Sequence, residues 1–186
     1  MLGVLSSKYS GIQRQRDGQI LKPEEIIKEL KLQPLPEEGG FYVETYKSSV
    51  ELPADIVSPP YDGTRPASTA IYYLLTPDTF SALHRLPSDE IFHFYLGDPI
   101  ELLELGKDGR GRMLRLGHDI FGNMKLQHVV KGGTWQGSKL ISGGSFALLG
   151  VTVAPGFSFN DYEAGRRNRL VELYPDFEKL ISELTR

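Results

Sequence analysis

The chain has 186 residues, with 21 Lys and Arg against 24 Asp and Glu, a formal net charge of -3 and no cysteine. That length suits one globular domain with a sizeable core, and the charge gives no footprint for nucleic acid or an anionic membrane surface. Without thiols, disulfides, zinc–thiolate centres, iron–sulfur clusters and cysteine nucleophiles are excluded.

In chain order, residues 1–20 are polar and aperiodic and read as a loose N-terminal arm ahead of a single domain over 21–186. Met1 to Gln19 lacks the apolar run of a signal peptide. No later stretch reaches the roughly 18 apolar residues that cross a bilayer, so a cytoplasmic setting is expected. A short helix starts at Pro23, with Glu24 and Glu25 suited to its first turn, and Pro34 and Pro36 end the helical stretch. Glu-Glu-Gly-Gly at 37–40 is a turn signal, followed by a strand over Phe41 to Lys47. A proline-rich connection occupies residues 52–66.

From there the pattern is a run of short strands: Ser68–Leu75, Phe80–Leu86, Glu90–Leu96, Ile100–Leu105, Arg112–Leu116, Leu126–Val130, Ser138–Ile141, Phe146–Val153 and Phe157–Asp161. Turns rich in Gly, Pro and Asp separate them, and no crossover helix fits between them. The expected fold is therefore all-β and antiparallel, a sandwich or barrel. Leu170, Leu173, Phe177, Leu180, Ile181 and Leu184 form one helical stripe over about 166–184, interrupted at Pro175, that packs outside the barrel of about 40–162.

The segment from Phe80 to Gly97 holds the densest chemistry. His84, Glu90 and His93 lie on two strands joined by a Pro-Ser-Asp turn, where an imidazole and a carboxylate can act as a base and its orienting partner or as metal ligands. Strand alternation puts Glu90 with Phe92 and Phe94, and His93 with Ile91 and Tyr95 on the other face. It puts His84 with Phe80, Ala82 and Leu86. Ser81, Phe92, His93, Phe94, Trp135, Gln136 and Tyr162 are the candidate ligand-binding residues around a catalytic His84 and Glu90. Trp135, the only tryptophan, is either a plug at the barrel end or a stacking platform. His118 and His128 are expected on exposed faces.

His84-x-Leu86-x3-Glu90-x6-Gly97 resembles the first motif of the cupin superfamily, and Lys131-Gly-Gly-Thr-Trp-Gln136 resembles the second. Blocks from Glu38 to Tyr46, Ala70 to Leu75, Phe80 to Arg85, Asp89 to Tyr95, Gly133 to Gln136 and Val153 to Phe157 resemble small uncharacterised cupins described as similar to sugar epimerases. The resemblance implies a jelly-roll barrel, commonly a homodimer, with a small-molecule pocket in the lumen. It also implies departures, because Leu86 and Gln136 stand where metal-binding cupins place histidines. No cofactor is expected; a loosely held divalent ion on His84, Glu90 and Gln136 is the arrangement left open.

Three readings follow. In the first, an isomerase or epimerase uses His84, oriented by Glu90, as base on a carbohydrate-like substrate. Tyr72, Tyr73 or Tyr95 is then the acid, and Arg65, Arg85 and Lys139 are available for a diphosphate. The alternative is a non-catalytic binding or sensor protein that stacks its ligand on Trp135. Metal-dependent oxygenase or lyase chemistry ranks last, since two of the histidines are replaced. The Phe41–Lys47 edge and the N-terminal arm are expected to pair with a second copy in a homodimer.

Overall fold

The structure is a computed structural model in which residues 21–57, 61 and 63–186 are described; the expected N-terminal arm lies outside them. Helix α1 (Pro23–Glu29) begins with the anticipated proline, and the Glu25 carboxylate accepts from the Lys22 amide at 3.1 Å, closing its first turn. Thirteen strands follow among the described residues. They are β1 (Gln33–Pro34), β2 (Phe41–Lys47), β3 (Glu51–Leu52), β4 (Arg65–Pro66), β5 (Thr69–Leu75), β6 (Phe80–Arg85) and β7 (Asp89–Gly97). Then come β8 (Ile100–Leu105), β9 (Gly111–Leu116), β10 (Gln127–Val130), β11 (Trp135–Leu140), β12 (Ala147–Ala154) and β13 (Glu163–Ala164). Helix α2 (Ala54–Val57) lies between β3 and β4, and α3 (Arg167–Leu173) and α4 (Glu178–Glu183) close the chain, separated by a 3-10 turn at Pro175–Phe177.

Two antiparallel sheets face each other. One has the order β1-β2-β5-β12-β7-β10 and the other β13-β6-β11-β8-β9. This is the double-sheet jelly roll that the strand spacing anticipated. The apolar residues of the inner faces meet in a core that includes Tyr73, Phe92, Phe94, Leu102, Leu116, Leu149 and Val151. Outside, α1 and the turn after it set Ile26 and Leu32 against Leu74, Phe146 and Leu148. Helices α3 and α4 set Leu170, Tyr174 and Ile181 against Leu83, Leu103, Leu105 and Trp135. Each sheet thus buries both of its faces over part of its area, which is why β8 and β12 read as near-continuous apolar runs.

Two features differ from expectation. Phe157–Asp161 is not a strand: the Ser158 hydroxyl accepts from the Asn160 amide and a 3-10 turn forms at Phe159–Asp161, a local side-chain bond that displaces the extended chain. The strand that does form there is β13, two residues long, paired to β6. The β2 edge is only partly open, since β1 pairs with Phe41 and Tyr42.

Candidate functional site

Strand β6 carries a bulge that sets the site. His84 pairs with Gln136 and Ser81 with Ser138, so Ala82 and Leu83 together oppose Gly137. The bulged amides are satisfied elsewhere: Ala82 N–H donates to the Glu38 carbonyl at 2.8 Å, and Leu83 N–H to the Leu184 carbonyl at 2.7 Å. The bulge corrects the expected alternation. Phe80 and Leu83 pack toward the C-terminal helices, while Ser81 and His84 share the inner side with Gln136 and Ser138.

Loop 37–40 supplies the residue that sequence reasoning missed. Gly39 and Gly40 have φ of 100° and 72°, and a Cβ on Gly39 would lie 2.5 Å from the Phe80 carbonyl oxygen. Only glycine lets this backbone pass so close to β6. The passage turns the Glu38 side chain inward, where it accepts from the Ser81 hydroxyl at 2.7 Å. The Tyr73 hydroxyl donates to the Gly39 carbonyl at 2.9 Å and pins the same loop.

His84 is 1% exposed and stands between two carboxylates, with Nε2 at 3.9 Å from Glu38 Oε2 and 3.8 Å from Glu90 Oε2. Its Nδ1 donates to the Ala82 carbonyl at 2.8 Å. Gln136 donates its amide to Glu90 Oε2 and lies 3.4 Å from His84 Nε2. The Tyr162 ring stacks on the imidazole, 5.0 Å between centroids at 21°. Burial alone would lower the His84 pKa. The charge of Glu38, the hydrogen bond and charge of Glu90 and the Ala82 carbonyl outweigh it, and the imidazole is raised from 6.5 to about 9. Glu38 is raised as well, by burial first and by Glu90, against the lowering charge of His84. The imidazole is therefore protonated near neutrality, with two carboxyl groups beside it.

Glu38, His84, Leu86, Glu90 and Tyr162 line one end of a cavity of about 360 Å³, whose other walls include Tyr42, Ile71, Val153 and Phe157. Glu37 and Glu44 also face it, and no Lys or Arg is among its lining residues. Gln136 Oε1 and the Tyr162 hydroxyl are buried without a hydrogen-bond partner among the described residues.

The other expected site residues scatter. Phe92 and Phe94 face inward as alternation required, but they belong to the packed core and do not line the cavity. His93 lies on the outer face of its sheet, with Nδ1 3.1 Å from the Gln127 amide and its ring stacked with Tyr95. Trp135 is outside the lumen, beneath α3 and under the Arg85 guanidinium at 4.5 Å. The cause is that β11 begins three residues earlier than expected, so alternation sends Trp135 out and Gln136 in. Tyr72 and Tyr95 meet edge-on outside the lumen, whereas Tyr73 is 1% exposed within it. Arg65, Arg85 and Lys139 do not face the cavity; they pair with Asp161, Glu163 and Glu183. His118 is exposed as expected. His128 is not: it turns inward to Glu104 at 2.7 Å.

The donor set does not fit a resident metal ion. Glu38 and Glu90 each lie nearly 4 Å from His84 Nε2, and among the described residues no three His, Asp or Glu side chains are spaced to hold an ion. Leu86 presents a hydrocarbon to the lumen, and Gln136 turns its amide nitrogen, not its oxygen, toward Glu90 and His84.

With this geometry in hand, the likenesses can be placed. Residues 24–165 match the family described as Cupin superfamily (DUF985). The chain is 33% identical over 144 residues to the Saccharomyces cerevisiae protein described as Uncharacterized protein YML079W, a match that covers 67% of this chain and 66% of that protein, just under two thirds of its length. It is similar to the structure described as a hypothetical protein from Leishmania major, with TM-score 0.78 and 33% identity over 89% of this chain and 99% of that one. The structure of protein SO0799 from Shewanella oneidensis is also similar, with TM-score 0.78 and 30% identity over 90% of this chain and 99% of that one.

Proposed function

The chain belongs to the Cupin superfamily (DUF985) family, and from that premise we propose that its lumen is a small-molecule site for proton transfer, an isomerase or epimerase acting on a neutral, carbohydrate-like carbonyl compound. One observation carries the reading: Glu38, His84 and Glu90 converge on a single cavity that no Lys or Arg lines among the described residues. Perturbed titratable groups gathered in a cavity are candidates for acid and base roles.

The roles differ from those expected. An imidazole held protonated near neutrality is a poor base and a good acid, so His84 is the proton donor and Glu38 the base. The Glu38 carboxylate takes the proton from the carbon beside the carbonyl. The C–H electron pair becomes the new carbon–carbon π bond, the carbonyl π pair moves to oxygen, and His84 Nε2–H protonates that oxygen. Return of the proton from Glu38 to the neighbouring carbon, with His84 taking one back from the other oxygen, completes a 1,2 shift. Glu90, held by Gln136, positions the imidazole.

The substrate class follows from charge. Four glutamates line the cavity and no Lys or Arg does, so a diphosphate inside the lumen would be repelled. The Tyr162 hydroxyl, buried without a partner among the described residues on a side chain that lines the cavity, favours a polyhydroxyl ligand over an apolar one. The test is deuterium exchange in D2O with a panel of neutral aldoses and ketoses, read by NMR. Exchange at the carbon beside the carbonyl is expected with the native chain and lost in Glu38→Gln and His84→Asn. Full exchange in Glu38→Gln removes the assigned base. Saturable binding without exchange would favour a binding-only protein, with Phe157, Phe159 and Tyr162 as its aromatic wall in place of Trp135.

A further inference from the structure

A second concave surface, outside the lumen, is built from the opposite chemistry. Arg166 and Arg169 line two neighbouring depressions: one of about 400 Å³ walled by Trp135, Tyr162 and Leu170, the other running past Arg167 to Arg186. The acidic neighbour Glu163 is held by Arg85 at 2.6 Å, and Arg167 donates to the Thr185 hydroxyl and carbonyl at 2.8 and 2.7 Å. Arg166, Arg169 and Arg186 have no carboxylate within ion-pair distance among the described residues. Arg186 lies over the Phe80 ring, 5.7 Å from its centroid, beside Gly39. Guanidinium groups gathered round one depression repel each other, and an anion among them reverses the sign of that interaction.

We propose that this groove binds the phosphate group of a small phosphorylated molecule, at a site divided from the lumen by Tyr162. That residue lines both cavities and stacks on His84 from the lumen side. The groove admits what the glutamate-lined cavity repels. Phosphate fits better than a carboxylate, because a dianion with three acceptor oxygens can engage the forks of both Arg166 and Arg169 at once.

The experiment uses the chain's own reporter, since Trp135 is the sole tryptophan and lines the groove. Inorganic phosphate is titrated at ionic strength held constant with chloride, reading Trp135 emission and, independently, heat. A saturable response with Kd below about 1 mM is expected. Arg166→Gln/Arg169→Gln, two exposed positions whose variants fold as judged by circular dichroism, should weaken it at least tenfold. Glu38→Gln should leave the Kd unchanged, so failure of the lumen reading would not be mistaken for failure of this one. Absence of saturation by both readouts, an unchanged Kd in the double arginine variant, or succinate binding as tightly as phosphate would each overturn the assignment.

Discussion

Two histidine–carboxylate contacts lie inside this barrel and differ in everything around them. His128 Nε2 is 2.7 Å from one oxygen of Glu104, and Arg112 Nε donates to the other at 2.5 Å. Burial pushes the Glu104 carboxyl up, but the His128 and Arg112 hydrogen bonds overrule it and hold the group below its ordinary value. Both oxygens are engaged, and the contact braces β10 of one sheet to β8 and β9 of the other. His84 instead stands nearly 4 Å from each of two carboxylates, with no arginine beside them and open volume in front. The same residue types make a brace where the acceptors are saturated and a reactive cluster where they are not.

The strongest way to break this comparison is to neutralise one carboxyl from each cluster. Glu38→Gln should reduce exchange into the sugar panel by about a thousandfold, within the range for loss of a general base. Glu104→Gln should change it by no more than about threefold. Equal losses in the two variants would mean that the brace supports the site and that Glu38 has no special role.

The two clusters should also fail at opposite ends of the pH scale. His84 has a folded-state pKa raised from 6.5 to about 9. Its stabilisation is fully present below pH 6.5 and is lost as pH rises through about 9, on the order of 3 kcal/mol. Glu38, also raised, has the same sign at lower pH. Glu104 is depressed, so its contribution is present above pH 4.5 and is lost as pH falls through its folded value. Denaturant midpoints from about pH 2 to 10 measure both limbs. His84→Asn should flatten the alkaline limb only, and Glu104→Gln the acid limb only. A variant that moved both would show the clusters to be coupled.

At neutral pH the brace itself should be worth about 1–2 kcal/mol, below the value for a fully buried pair because Arg112 is 65% exposed. Glu104→Gln keeps the side-chain volume and measures this through the shift in denaturant midpoint. No measurable shift would reduce the contact to a surface ion pair.

The barrel was far more legible in the sequence than the cluster it encloses. Phe41–Lys47 and Ile100–Leu105 were readable end to end, because alternation or an apolar run bounded by turn residues is a signal carried by every residue of a strand. His84 and Glu90 are readable from their places on two strands joined by a tight turn, Gln136 from the resemblance to the second cupin motif, and in the structure the three side chains meet. Ser81 faces inward with His84 only through the bulge at Ala82–Leu83, which simple alternation does not contain because it depends on partners far away in the chain, the Glu38 carbonyl and Leu184. Glu38 sat inside Glu-Glu-Gly-Gly, which has a sufficient explanation as a turn. Its one usable signal was a carboxylate next to paired glycines, which can bring a backbone close to a neighbouring strand. His128 was misread because an edge strand can turn a polar residue inward when a buried carboxylate waits on the opposite sheet.

Tyr162 gives the finest test of how the reactive cluster differs from the brace. Its hydroxyl is buried with no partner among the described residues, and burial together with Glu38 keeps the phenol neutral, its pKa pushed well up. A buried hydroxyl that makes no hydrogen bond contributes no attraction to offset its lost hydration. Tyr162→Phe keeps the ring on His84 and removes only that cost, so the free protein should gain up to about 0.5–1 kcal/mol, a rise of about 1–4 °C in Tm. The same change should weaken binding of a polyhydroxyl ligand in the lumen, because the hydroxyl is then no longer there to meet it. Calorimetric scans of both chains, with and without the sugar found to exchange, separate the two effects. A lower Tm in the free variant would show that the hydroxyl is already satisfied and is not held in reserve for a ligand.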